Sequence, residues 1–279
     1  MTQWYSLNRR RSYRTLRVSD IFAGLEGAGI ANAKQEALWL ASHALGVGSA
    51  EILARAGFSG DEERRIDALI SRRVSGEPLQ YILGEADFYG RDFAVGKGVL
   101  IPRHDTETLI EGVKKVFRQD ERFRFLDWGT GSGCIAITIL LEFPKSEGCM
   151  IDANPKALKY ARENLRRYGV YDRLIDAGDF DLIISNPPYI PTGEISGLMR
   201  EVRDFEPHSA LDGGEDGMKF YREIFELSMT RLRHGGYMIL ETGNLRQVSE
   251  IEGYSGEFLA EGEIFDSGNF PRCVIMRRI

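Results

Sequence analysis

Cysteine and histidine are both scarce, and long apolar runs are missing. Three cysteines, Cys134, Cys149 and Cys273, in a chain of 279 residues are too few and too scattered for a disulfide framework or a zinc site, so all three read as buried thiols. The four histidines, His43, His104, His208 and His234, offer no pair at metal-ligand spacing on one helix, and no metal is assigned. No stretch is long and apolar enough to cross a bilayer, and residues 1–11 lack the apolar centre of a secretory leader, which predicts a soluble, cytoplasmic protein. Positive charge is not in excess either: a formal net charge of −6 argues against strong non-specific binding to nucleic acid. The local exception is Arg9, Arg10, Arg11, Arg14 and Arg17, a patch that could touch RNA or an acidic partner but reads more simply as a solvated, charged extension. What the chain does have is core material, 43% hydrophobic residues, over a length sufficient for two domains.

The first part reads as helical. Ser19 can cap a short helix reaching Leu25, and Ala37, Leu38, Ala41 and Leu45 recur at helical spacing before Gly46. Ser49 opens a third helix. A fourth spans 62–74, with Ile66, Leu69, Ile70 and Arg73 on repeating faces and Gly76 ending it. Residues 1–76 are therefore expected to form a small helical bundle, which suits partner recognition or a structural cap better than cofactor chemistry. From 77 to 105 the pattern changes to short apolar pieces with Gly84, Gly90, Gly96 and Gly98, a β-hairpin linker by its punctuation. Residues 106–279 then alternate strand and helix signals, an α/β pattern.

Asp181-Leu182-Ile183-Ile184-Ser185 is a buried parallel strand by its apolar run, and Asn186-Pro187-Pro188-Tyr189 follows it directly. The box thus sits at a strand's carboxyl end, where open α/β sheets bind ligands, and its two prolines hold the loop in a rigid, extended path. Such a loop can grip an NH2 group whose nitrogen is a poor nucleophile. The Asn186 side-chain oxygen accepts one N–H and the Pro187 carbonyl the other, leaving the nitrogen lone pair aimed at an electrophile, while Tyr189 offers an aromatic wall. The same four residues could also form a plain turn.

Upstream, a strand at Phe123-Arg124-Phe125-Leu126-Asp127 runs into Trp128-Gly129-Thr130-Gly131-Ser132-Gly133 and a helix from Cys134. Glycines there let the backbone approach a ligand and present free N–H groups. Gly131, Gly133 and Ala136 also satisfy a loose dinucleotide fingerprint. The next strand, from about Cys149, ends at Asp152, placed for the ribose hydroxyls of an adenosine-containing cofactor of either class. The second site separates the two: hydride transfer has no use for an amide clamp, whereas methyl transfer to nitrogen does. The joint pattern favours S-adenosylmethionine.

With these motifs the chain resembles the release-factor-specific protein-(glutamine-N5) methyltransferases, the PrmC or HemK family, over nearly its whole length. The resemblance also rests on residues 76–84 (Gly-Glu-Pro-Leu-Gln-Tyr-Ile-Leu-Gly), Phe88 and Phe93, residues 99–107 (Val-Leu-Ile-Pro-Arg-His-Asp-Thr-Glu), residues 206–214 (Glu-Pro-His-Ser-Ala-Leu-Asp-Gly-Gly), Asp216, Gly217, Tyr221, and the late strand 237–241 followed by Gly243 and Gln247. It implies a class I S-adenosylmethionine-dependent methyltransferase fold, a Rossmann-like mixed sheet, with 106–279 as the catalytic domain and the helical domain recognising a class-I peptide chain release factor. It further implies that Asp127, Gly129, Thr130, Gly131, Ser132, Gly133, Asp152 and Asn186 contact the cofactor, that Asn186, Pro187, Pro188 and Tyr189 hold the substrate, and that Asn186 and Pro187 carry the transfer. The reaction implied is in-line methyl transfer to the side-chain amide of the Gly-Gly-Gln glutamine by a monomer, without a general base. A nucleic-acid adenine methyltransferase, a ribosomal-protein glutamine methyltransferase and a non-catalytic binding module remain as alternatives.

One region departs from that family. Only residues 169–180 separate the helix ending near Tyr168 from the strand at Asp181, where a strand and a crossover helix are usual, and a parallel crossover alone takes a dozen residues or more. If Arg173-Leu174-Ile175 is the strand, residues 176–180 must return without a helix. The cofactor pocket is then open on that side unless Asp179 or Phe180 substitutes.

Overall fold

The computed structural model describes residues 15–253 and 256–279, so the arginine patch as far as Arg14 and the leader reading of residues 1–11 lie outside the described residues. By contacts the chain divides into two compact units, one reaching to Gly84 and including Arg200–Phe205, the other made of Glu85–Met199 and Glu206–Ile279. Among the described residues no helix is long and apolar enough to cross a membrane.

The first unit packs α1 (Val18–Gly27), α2 (Ala33–Leu45), α3 (Ser49–Ala54), α4 (Gly60–Val74) and the short α5 (Leu79–Leu83), with α9 (Arg200–Phe205) joining from far along the chain. Its core is Ile21, Leu25, Ala37, Leu40, Ile66 and Ile70 with their neighbours. Helix starts differ from expectation by a residue or two because caps set them. Ser59 and Glu62 form a reciprocal capping box, Ser59 N donating to Glu62 Oε2 at 2.8 Å, which moves the start of α4 back to Gly60. Asp20 accepts from the Arg17 N–H at 3.0 Å, so α1 begins at Val18 rather than after Ser19. α5 is a single turn closed by Gly84 at φ 82°, too short to show a helical period.

Arg73 is buried in this unit. Its Nε donates to Glu36 Oε2 at 2.6 Å, and its Nη1 to Glu201 Oε2 at 2.9 Å, so one guanidinium ties α2, α4 and α9 together. Removing one partner of a buried pair leaves the other charge desolvated and alone. Arg73→Met should therefore cost about 3 kcal/mol, read as a lower urea midpoint for the helical unit.

In the second unit, β1 (Glu85–Phe88) and β2 (Arg91–Ala94) form a hairpin whose turn residues Tyr89 and Gly90 both have positive φ, 54° and 68°, the geometry that matches strand twist. Phe88 and Phe93 are fully buried in the core of this unit, and Asn164 holds the hairpin by bonding both the N–H and C=O of Ala94. The main sheet contains β3 (Arg124–Trp128), β4 (Glu147–Ile151), β5 (Phe180–Ser185), β6 (Leu232–Glu241), β7 (Phe258–Phe265) and β8 (Pro271–Arg278) in the order β4-β3-β5-β6-β8-β7. The first four are parallel, and β8 runs antiparallel to both β6 and β7. This is the expected Rossmann-like mixed sheet. α6 (Glu107–Val116), α7 (Cys134–Glu142) and α8 (Pro155–Tyr168) cover one face; α10 (Lys219–Arg231) and α11 (Leu245–Glu252) cover the other. All three cysteines are buried and free.

The shortened stretch does not make a strand. Tyr171–Arg173 form a 3-10 turn, Leu174 makes one parallel bridge to Gly148, and the Ile175 N–H bonds the Gly148 carbonyl at 2.9 Å. Arg173 anchors the turn by donating to the carbonyls of Phe143 and Pro144 at 3.2 and 3.0 Å. The chain therefore crosses near the amino end of β4 and enters β5 without passing the carboxyl edge.

Candidate active site

The order of the parallel strands reverses at β3, which lies between β4 and β5. Chain direction there brings the ends of three strands, Trp128, Ile151 and Ser185, to one edge, the usual binding position in such sheets. A cavity of about 620 Å³ opens on it. Of the residues expected at the site, Gly129, Thr130, Gly131, Ser132, Asp152, Asn186 and Pro188 line this cavity, whereas Asp127, Gly133, Pro187 and Tyr189 do not.

Of these four, Asp127 and Gly133 sit behind the loop, Pro187 is buried and Tyr189 half-buried. Asp127 is fully buried beneath the loop, where its Oδ2 accepts from Thr130 Oγ1 at 2.6 Å and from the Ala136 N–H at 3.3 Å, while its Oδ1 has no partner. Burial pushes the Asp127 carboxyl up to about 7, against the downward pull of those hydrogen bonds. Gly133 stands at the start of α7 with φ 82°, and a Cβ there would lie 2.8 Å from Met150 Cε and 3.1 Å from Ile137 Cδ1. Gly133→Ala should thus destabilise the protein by about 1–3 kcal/mol through backbone strain, measured as a fall in Tm, and displace the loop lining the cavity.

Asp152 locks that loop to the neighbouring strand end: one carboxylate oxygen accepts from the Gly131 N–H at 2.9 Å, the other from the Asn154 N–H at 2.7 Å. Asn154 reaches on to the Gly98 carbonyl at 2.8 Å, which draws the segment 98–102 over the cavity. On the opposite side Glu206, itself buried, accepts from the Ile101 N–H at 3.1 Å and from the Arg103 guanidinium. Ile101-Pro102-Arg103 is a wall fixed from behind. Trp128 and Phe220 face each other at 5.4 Å between ring centres, and both line the cavity. None of residues 169–180 does, Phe180 being in the core and Asp179 exposed, so neither replaces the missing edge, and Ile151 stays 39% exposed.

At the end of β5 the Asn186 amide is oriented. Its Nδ2 donates to Thr106 Oγ1 at 3.0 Å, and no hydrogen bond from the described residues reaches its Oδ1 or the Pro187 carbonyl. The Tyr189 ring turns inward instead of forming a wall. It packs where a Cβ on Gly243 would be 2.6 Å away, its hydroxyl donates to Glu241 Oε1 at 3.3 Å, and its carbonyl accepts from Gln247 Nε2 at 2.8 Å. The hydroxyl's partner lies inside the sheet edge, and this decides the ring's direction. Burial and the Glu241 charge raise the Tyr189 pKa, keeping the phenol a donor.

A family model described as the PrmC N-terminal domain matches residues 19–84, and one described as the methyltransferase small domain matches 104–200. The release factor glutamine methyltransferase of Geobacter sulfurreducens is 39% identical over 84% of this chain and 84% of its own. This chain belongs to the release factor glutamine methyltransferase family. The Bradyrhizobium diazoefficiens family member is 35% identical over 95% of this chain and 99% of its own length. A methyltransferase of known structure from Pyrococcus furiosus shares the fold, with a TM-score of 0.51 at 18% identity over 77% of this chain and 98% of its own.

For a methyltransferase of this family, sequence motifs alone missed Thr106, Glu206 and Glu241 as parts of the site. Thr106 and Glu206 lie within quoted motifs, and Glu241 ends a recognised strand, but only the fold shows that Thr106 holds the Asn186 amide, Glu206 the 101–103 wall and Glu241 the Tyr189 hydroxyl. Asp87, His104 and Glu107 bring ligand-type atoms within 4.8 Å of one another; two of the three are exposed, none lines the cavity, and solvated acidic groups of this kind are common without an ion.

Proposed function

We propose that this enzyme methylates the side-chain amide nitrogen of the glutamine in the Gly-Gly-Gln motif of class-I peptide chain release factors, with S-adenosylmethionine as donor. The observation that carries the reading is Asn186, with its NH2 held by Thr106 and its Oδ1 left as an acceptor beside the glycine loop. That arrangement suits a substrate NH2 group. The relatives' names favour glutamine over adenine as the acceptor.

The chain's residues fit the donor. Gly129 would meet nothing within 4 Å of an added Cβ, so the loop presents bare backbone to the cavity. Thr130, Gly131, Ser132 and Asp152 line the space beside it, Gly133 and Asp127 fix the loop from behind, and Asp152 retains lone pairs for ribose hydroxyls. Bound there, S-adenosylmethionine supplies an electrophilic sulfonium methyl. Asn186 Oδ1 and the Pro187 carbonyl hold the two amide hydrogens, orient the nitrogen lone pair and stabilise positive charge as it develops on the NH2. Pro188 flanks the planar group, and Tyr189 braces the loop from inside. The enzyme works as a cytoplasmic monomer, since its cavity has to receive a loop from another protein.

Incubation with methyl-labelled S-adenosylmethionine and a purified class-I release factor tests this reading. Label is expected on the wild-type factor and not on a copy whose Gly-Gly-Gln glutamine is replaced. Equal labelling of the two would overturn the substrate assignment.

A further inference from the structure

The ribose of S-adenosylmethionine carries its hydroxyls between the carbon that bears the base and the carbon that leads to the sulfonium. A cofactor held with those hydroxyls at Asp152 and its methyl at Asn186 therefore sends its base away from β5, past Asp152, to the carboxyl end of β4. That strand is the edge of the sheet. Its last residue, Ile151, is 39% exposed and lines the cavity, as does Ala153, which is exposed too.

The stretch that enters β5 keeps to the other end of the sheet. The Ile175 N–H bonds the Gly148 carbonyl at 2.9 Å, the Cys149 thiol meets the Asp176 carbonyl at 3.6 Å, and a Cβ added to Gly178 would lie 3.0 Å from the guanidinium of Arg124, the residue that opens β3. About 10 Å of strand separates Gly148 from Ile151. Two residues of backbone contact at the start of β4 thus hold the segment away from the place where the base would lie.

The amino group of an adenine is a donor and needs an acceptor. At the end of β4 the Ile151 carbonyl already takes the N–H groups of Gly129 and Thr130, each at 2.9 Å, and Asn154 Oδ1 takes the Lys156 N–H at 3.0 Å while its Nδ2 donates to Gly98. The Asp152 carboxylate holds the Gly131 and Asn154 N–H groups and has the ribose to bind. Apolar surface remains for the base, the Ile151 side chain and the Ala153 methyl, with solvent beyond.

We infer that this enzyme reads the ribose of its donor and not the base: the base packs on Ile151 and Ala153, and its amino edge stands in water. The inference rests on the S-adenosylmethionine reading above. A ligand with bulk on the amino nitrogen, or with another purine, should bind as the natural one does. Ile151 then sets the affinity for the base.

The experiment is calorimetric titration of the full chain with S-adenosylhomocysteine, its N6-benzyl derivative, S-inosylhomocysteine and the 2′-deoxy compound. The N6-benzyl and inosyl ligands should bind within about three-fold of the parent, less than one hydrogen bond is worth at its upper net value. The 2′-deoxy ligand should bind at least about ten-fold more weakly, having lost a hydrogen bond to a charged acceptor. Ile151→Trp places a stacking ring at an exposed position and should tighten the parent and the inosyl ligand alike by about ten-fold. A loss above about ten-fold for the inosyl ligand, the mark of a site that bonds the missing group, overturns the inference, as does exclusion of the N6-benzyl ligand. Unchanged affinity in a folded Ile151→Trp would remove the base from Ile151 and overturn it equally. A chain that binds none of the four ligands would instead defeat the donor reading, and the inference with it.

Discussion

Asn186→Ala should lower single-turnover methyl transfer by roughly 10³-fold while leaving the Kd for S-adenosylmethionine within about two-fold, because removing one preorganised charge-stabilising group costs on the order of 10²–10³ in rate and this residue also orients the nucleophile. Among the described residues its Oδ1 accepts no hydrogen bond and its Nδ2 engages only Thr106, so the folded protein loses a single part-buried contact. The effect should appear in the rate at saturating substrate. An equal loss of rate and cofactor affinity would contradict the role. Asn186→Asp keeps the acceptor but forfeits the donor to Thr106; it should recover only part of the rate.

Asp152→Ala should act on the other half of the site, weakening S-adenosylmethionine binding by about 100-fold, the equivalent of two hydrogen bonds to a charged acceptor at about 1.5 kcal/mol each. Part of that loss comes from ribose contacts. The rest comes from the protein itself, since Gly131 and Asn154 both donate their N–H groups to this carboxylate at 2.9 and 2.7 Å and would be left without an acceptor. The rate at saturating cofactor should change by less than ten-fold, roughly the limit expected when transition-state contacts are intact. Calorimetric titration gives the affinity, and a Kd within three-fold of wild type would remove Asp152 from the cofactor site.

The features legible in the sequence were those whose chemistry is local. Gly129, Gly131 and Gly133 all adopt positive φ, a requirement visible in residue type alone, and the box at Asn186 was placed by the apolar strand before it. Helix periodicity gave α2 and α4 nearly in full. Long-range placement was less accessible. Nothing in residues 200–205 announces that they pack with helices formed by the first 84 residues, because the tie comes from far along the chain, the buried Arg73 guanidinium reaching Glu201. Thr106 meets Asn186 across 80 positions of sequence and Glu241 meets Tyr189 across 52, contacts that only the fold reveals. Tyr189 was read by ring type as a wall; the partner that turns it inward lies on another strand. The length of 169–180 signalled that a strand and a crossover helix cannot both fit; the strand weighed at 173–175 is reduced to one bridge at Leu174, and the segment stays away from the cavity, leaving Ile151 exposed.

A crystal structure of the protein with S-adenosylhomocysteine and a peptide containing Gly-Gly-Gln tests the central claim most directly. The account predicts the glutamine side-chain amide within hydrogen-bond distance of both Asn186 Oδ1 and the Pro187 carbonyl, with Asn186 Nδ2 still on Thr106. A glutamine bound elsewhere in the cavity, or an Asn186 turned so that its oxygen meets Thr106, would contradict it.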